Sequence, residues 1–257
     1  MDYILPDLNL LEVKSSASDD KRTGYFVIEP LSPGYGITVG NTLRRILLAS
    51  LEGCAIRSVK IAGCDHEYAT LKGVKEDIVD IILNLKTLRL KMNGEGPYKI
   101  EISVKGPKIV TSADIKKSSD VEILDKDHYI ASIEKSGKIE MEMDVAKGRG
   151  YEPVEKRIDE KLPVGTIMVD SIFTPVKKVK YDVENARVGG VTNYNRLVME
   201  ITTDGSVSPF EALKTATRIM KEHLDVIGDA CNIAVKKGSS KANKPKIKKT
   251  RKIKNEK

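Results

Sequence analysis

The stretch "PLSPGYGITVGNTLRRILLASLEG", residues 30 to 53, decides how the chain is read. An apolar strand over residues 23 to 31 leads into it, Gly34, Gly36 and Gly40 follow, and helical spacing runs from about Thr38 to Ser50. Strand, glycines and helix in that order also build a nucleotide-binding loop, with the pyrophosphate on the helix N-terminus. Here the spacing argues against one. The glycines give GxGxxxG rather than GxGxxG, and the next acid in position to meet a ribose, Asp65, comes about 30 residues on instead of about 20. A phosphate loop needs GKS or GKT, and neither occurs. The helix is apolar round much of its girth: Leu43, Ile46, Leu47 and Leu51 share a face, and Val39 and Leu48 widen the arc. Such a helix meets protein on more than one side, and the glycines let the backbone turn sharply into it.

A second helix has the clearest start in the chain. In "SPFEALKTATRIMKEHLDVIG", Ser208 is placed as N-cap, Pro209 at N1 and Glu211 at N3, the pattern of a capping box, with a stop expected at Gly228. Phe210, Leu213, Thr217, Met220, Leu224 and Ile227 fall at alternating steps of three and four, a heptad seam with one polar member. Ala212, Ala216, Ile219 and Val226 lie off the seam, so one face can meet the home sheet and the other a second copy of the helix.

Between these helices the pattern is of strands: "AIRSVKIAG", "PYKIEISVKG", "VEIL", "HYIASIEK" and "GKIEMEMDVA", then "TIMVDSIF", "KKVKYDVENARV" and "RLVMEITTDG". In "KIEMEMDV", Ile139, Met141, Met143 and Val145 alternate with charges, as in a half-buried strand. One helix interrupts, over "GVKEDIVDIILNLKTL", with Glu76 and Asp77 expected in its first turn and Ile78, Ile81, Ile82, Leu85 and Leu88 on its apolar face. "AKGRGYEP" sets Arg149 between two glycines and before Tyr151 on an exposed turn, and both residue types are enriched at protein interfaces.

Composition narrows the function. With no Trp and only 3 Phe, the chain has little on which to stack bases. No run approaches the roughly 18 apolar residues of a membrane span, and the N-terminus has neither a basic n-region nor a cleavage site, so a cytoplasmic protein is expected. The three cysteines are too irregularly spaced for a disulfide framework or a CxxC metal pair. "GCDHEY" lines up Cys64, Asp65, His66 and Glu67, but consecutive residues diverge where a metal needs convergence. GxSxG is absent, and the acids of "LDKDH" (Asp125, Asp127) have no third acid near them. No catalytic residue, cofactor site or metal site is therefore assigned to this chain. The net charge of +7 is uneven: eleven Lys or Arg and one acid stand at 236 to 257, a charge of +10, leaving −3 on the first 235 residues.

These blocks together resemble a family. "GYGITVGNTLRRILLASLEGCAI", "HEYATLKGVKEDIVDIILNLK", "GRGYEP", "VDSIFTPVKKVKYDVENARV" and "RLVMEITTDGSVSPFEAL" are similar, in order, to the alpha subunit of bacterial DNA-directed RNA polymerase. The resemblance implies a non-catalytic subunit of a nucleotidyltransferase, with magnesium held only in a catalytic partner. It implies an α+β fold: a discontinuous dimerisation domain of antiparallel sheet plus two helices, over 1–51 and 170–235, with a mixed, strand-rich domain inserted at 52–169. A homodimer would form through Leu43, Ile46, Phe210, Leu213, Thr217, Met220, Leu224 and Ile227, and would then bind the beta and beta prime subunits. Carried over residue by residue, Arg44, Arg45, Leu47, Leu48, Lys86, Arg149, Gly150, Tyr151, Val169 and Asp170 match positions that contact those large subunits.

The resemblance implies that members usually continue beyond a linker into a carboxy-terminal domain that binds upstream DNA. At that place this sequence has a basic stretch at 236–257, expected to be a disordered tail that touches promoter DNA at most weakly and without reading sequence. The alternative from another class is a free-standing basic nucleic-acid-binding protein, which the overall charge favours and its confinement to the terminus opposes.

Overall fold

The computed structural model describes residues 12–17, 22–116, 118–160, 162–188 and 191–238. The chain begins with β1 (Glu12–Ala17), β2 (Thr23–Leu31) and α1 (Tyr35–Ala49). It then runs through β3 (Glu52–Ile61), α2 (Ile78–Lys86), β4 (Leu90–Met92), β5 (Tyr98–Lys105), β6 (Lys108–Thr111), β7 (Val121–Ile123), β8 (Tyr129–Ile133), β9 (Lys138–Arg149), β10 (Tyr151–Glu152), β11 (Thr166–Met168) and β12 (Ser171–Ile172). It closes with β13 (Val176–Val188), β14 (Val191–Thr203) and α3 (Pro209–Gly238). The architecture is α+β, and every strand pair among the named elements is antiparallel.

Both ends of the chain share one sheet, in the order β1-β2-β14-β13. Strand alternation turns Phe26, Leu197, Met199 and Ile201 to one face, where they are buried under α1 and α3. α1 supplies Leu43 and Leu47 to this core and α3 supplies Ala212 and Ala216, all buried. The middle of the chain makes a second sheet, β11-β3-β9-β5, with its own core. Ile139, Met141, Met143 and Val145 of β9 are buried in it, which is the alternation read from the sequence, and Ile78, Ile81, Ile82 and Leu85 of α2 belong to the same core.

The three glycines of the opening stretch do two different things. Gly34 takes a left-handed conformation, φ 84°, and makes the turn. Gly36 and Gly40 are inside α1 and let it lie close on the sheet: a Cβ on Gly36 would stand 2.6 Å from Val183, and one on Gly40 2.8 Å from Tyr181. The helix starts three residues before the expected Thr38 because its cap comes from elsewhere. Asn195 Oδ1, on β14, accepts the N–H groups of Gly34 at 2.8 Å and Gly36 at 3.3 Å. Asn195 sits where the β14–β2 register shifts, and such an irregularity re-aims a side chain. Asn195→Ala should therefore cost about 1–2 kcal/mol, read from denaturant unfolding at fixed protein concentration, while Asn195→Asp keeps the acceptor and most of the stability. Equal midpoints for Asn195→Ala and wild type would remove the capping role.

Other boundaries also differ from expectation. Glu76 and Asp77 precede α2 instead of entering its first turn: Asp77 is the N-cap, accepting from Asp80 N–H, and Glu76 accepts from Ser132 N–H and the Tyr129 hydroxyl. α3 opens with the Ser208 cap, whose Oγ accepts from Glu211 N–H at 3.2 Å. It does not stop at Gly228 but continues to Gly238. A glycine inside a helix costs only about 1 kcal/mol, which the helix-forming residues around it outweigh. The expected tail thus begins as helix over 236–238, and residues 239–257 lie outside the described residues. No helix among the described residues is long and apolar enough to cross a membrane.

Candidate partner-binding surface

Arg44 and Arg45 are exposed near the C-terminal end of α1. Leu48 is half-buried beside them, and its carbonyl accepts from the Thr174 hydroxyl at 3.1 Å. The turn between β9 and β10 lies against the same helix end: Gly150 has φ 66°, and a Cβ there would come within 3.4 Å of the Ala49 carbonyl. Gly150 O accepts from Phe173 N–H at 2.8 Å, which ties the turn to the strand that returns to the first sheet. Arg149 pairs with Glu52 across the β3–β9 ladder at 2.8 Å. Both side chains are more than half exposed, so the pair adds at most about 1 kcal/mol and leaves Arg149 open to exchange partners.

From the turn the surface continues along a pair of two-residue strands. Tyr151 stands opposite Ile172 in the β10–β12 ladder, so the two side chains share a face; they are 57% and 52% exposed. Asp170 precedes β12 and links it to α2, with Oδ2 3.0 Å from Lys86 Nζ and Oδ1 accepting from Val154 N–H at 3.0 Å. The Val154 N–H first, and then Lys86, hold its carboxyl below the usual aspartate range, so it stays ionised at neutral pH. Beneath the strip Arg157 is buried and donates to the carbonyls of Arg57 and Val169. Glu152 Oε2 lies 3.6 Å from Arg57 Nε and 3.7 Å from Arg157 Nε, one carboxylate shared by two guanidinium groups. A buried cation tied to carbonyls in this way gives the exposed pair a stiff backing.

The structure therefore brings together the end of α1, the Arg149–Tyr151 turn and the Lys86–Asp170 pair, which are far apart in sequence. Three of the expected contact residues have no surface to offer. Leu47 is wholly buried in the first core, Val169 is buried in the second, and Leu43, expected at the dimer interface, is buried beside Leu47. They back the surface from behind, because the face of α1 that carries Leu43 and Leu47 is turned to the home sheet. Ile172 adds an exposed apolar side chain that the sequence does not mark: in "DSIF" Ser171 points inward and Ile172 outward, and two residues are too short for alternation to be read.

On α3 the expected seam divides into two parts. Leu213 and Met220 are half-buried against the first core, and the Phe210 ring meets Phe26 edge to face at 5.1 Å. Thr217 is exposed and returns its hydroxyl to the Leu213 carbonyl. From Lys221 to Cys231 every residue is exposed, including Leu224, Val226 and Ile227. Ile46 of α1 is half-buried.

In "GCDHEY", Cys64 turns inward while Asp65 and His66 are exposed. Among the described residues no three His, Cys, Asp or Glu are placed to hold a metal. The tail on which the nucleic-acid-binding alternative rests lies, from 239 onward, outside the described residues.

Residues 59–174 match the family model described as the RNA polymerase Rpb3/RpoA insert domain. That span runs from inside β3 to the crossover into the first sheet and takes in most of the second core. The DNA-directed RNA polymerase subunit alpha of Alkaliphilus metalliredigens is 49% identical over 221 residues, which cover 86% of this chain and 69% of that one. The same subunit of Clostridium botulinum, strain Eklund 17B, is 50% identical over 216 residues, covering 84% and 69%, and that of strain Hall is 48% identical over 233 residues, covering 88% and 74%. With about half its residues shared over more than four-fifths of its length, this chain belongs to the family of bacterial DNA-directed RNA polymerase alpha subunits, components of the transcription machinery.

Proposed function

We propose that the chain is a non-catalytic assembly subunit, which pairs with a second copy through α1 and α3 and offers the pair as a platform for the beta and beta prime subunits. The observation that carries this reading is the outer part of α3. Leu224, Val226 and Ile227 project from a stretch of helix that no core among the described residues covers, an arrangement that favours a partner for that face. Pairing with the same helix of another copy covers them in an isologous interface.

The division into a dimerisation unit, 1–51 with 170–235, and an insert, 52–169, is supported by the sheet that both chain ends build and by the two separate cores. In this reading α1 has two jobs: its Leu43 and Leu47 face holds the fold together, and its exposed end presents Arg44 and Arg45. Guanidinium groups there are suited to carboxylates and carbonyls on a large subunit. The Arg149–Tyr151 turn, Ile172 and the Lys86–Asp170 pair extend the contact. Catalysis and magnesium would belong to the large subunits, in the cytoplasm.

Arg45→Ala is expected to leave the dimer intact and to weaken capture of beta at least severalfold. A pull-down of the dimeric variant with beta tests this, and wild-type capture would refute the assigned role of Arg45.

A further inference from the structure

The insert and the first sheet are joined by two chain crossings, at Leu51–Glu52 and at Phe173–Val176. Beside these crossings two open clefts separate the insert from the first sheet. A cavity of about 340 Å³ lined by Lys86, Arg89, Phe173, Thr174, Lys177 and Asp204 adjoins one of about 230 Å³, and the two share Gly53, Cys54, Leu90 and Ser206. At the crossing itself Phe173 packs closely over Gly53 and Gly148, whereas across the clefts the insert and the α3 loop are joined by polar contacts.

Arg89 reaches across the clefts to the loop before α3. Arg89, between α2 and β4, donates from Nη1 to the Asp204 carbonyl at 3.0 Å and from Nη2 to the Asp125 carboxylate. Both ends are anchored. On the insert side, Leu124 N–H donates to the Arg89 carbonyl at 3.1 Å, and Leu90 pairs with Ile123. On the other side, Asp204 N–H donates to Pro175 O, while its carboxylate takes the N–H and hydroxyl of Ser206. Asp204 lies in the short loop between β14 and the Ser208 cap of α3. The Arg89 side chain is only 14% exposed, so water competes weakly for these bonds.

We propose that Arg89 is a brace that sets the angle between the insert and the sheet, and is thereby a positioning residue for partner capture. Lys86 is three residues before it at the end of α2, and α1 is fixed to the sheet beyond the junction. The brace holds these two parts of the strip in one register. It also couples the insert to the loop from which α3 starts. The consequence for capture rests on the proposed function; the brace itself does not.

Spin labels on Glu95→Cys, in the insert, and Lys180→Cys, on β13, test it in a Cys231→Ser background, since both positions are exposed. Cys64 is buried, and burial with the nearby Asp204 charge pushes the Cys54 thiol up to about 11, so both react slowly at neutral pH, and the Cys231→Ser chain without added cysteines measures any residual label. Diluting labelled chain with unlabelled chain keeps the measured pair within one copy. Arg89→Met should broaden or shift the distance distribution, with capture of beta reduced severalfold and the dimer intact. Arg89→Lys, which keeps a cation beside Asp125 but has one nitrogen for two partners, should broaden it too and serves if Arg89→Met does not fold. Wild-type distributions in the folded variants overturn the brace. A broadened distribution with unchanged capture leaves the brace standing and overturns its role in positioning the strip.

Discussion

Replacing both Leu224 and Ile227 with glutamate is expected to convert the protein from dimer to monomer. In a paired arrangement the exposed part of each of these side chains, a little over half of its surface, moves from water into an apolar seam, a gain of about 1–2 kcal/mol apiece. Two residues on each of two copies give about 4–7 kcal/mol, and every 1.4 kcal/mol is about a tenfold change in dissociation constant. Four buried carboxylates would add a further penalty. Light scattering on a sizing column should show the mass fall from twice 28.4 kDa to 28.4 kDa at micromolar protein. The body should be unaffected, because both residues are 57–59% exposed and outside the home core. A variant that stays dimeric would show that the outer part of α3 is not what joins the copies.

The largest loss of stability from one methyl group is expected at Gly53, the second residue of β3. The returning chain crosses over β3 there: a Cβ on Gly53 would lie 1.8 Å from the Phe173 carbonyl oxygen, and that backbone is pinned by Phe173 N–H on Gly150 O. Neither strand can retreat without breaking the ladder or the turn that carries Tyr151. Gly53→Ala should therefore cost about 3 kcal/mol, at the upper end for overpacking, and should weaken capture of the large subunits along with stability. Denaturant unfolding reads the first effect directly. A wild-type midpoint would mean that Phe173 does not lie over β3 as described.

Local signals carried much of the fold. The strand at 23–31, the alternation in β9 and the Ser208 cap each depend on residues adjacent in sequence, and each is where the pattern placed it. Long-range determinants were not legible. α1 starts at Tyr35 because Asn195, some 160 residues later, accepts its first N–H groups, and nothing near Thr38 encodes that. Gly228 reads as a stop, yet a glycine in open space only lowers helix propensity, so α3 runs on. The resemblance supplied the expected contact positions, whereas their union into one strip depends on Tyr151 facing Ile172 and on Asp170 reaching Lys86. The buried faces of Leu47 and Val169 are likewise a matter of packing, since an apolar residue on a helix with a wide apolar arc can face either side.

Native mass spectrometry of the complex reconstituted from this chain with beta and beta prime reads its stoichiometry. One assembly holding two copies of this chain with one beta and one beta prime is expected. An assembly containing a single copy, or large subunits that associate only with each other while this chain stays free, would contradict the proposed function.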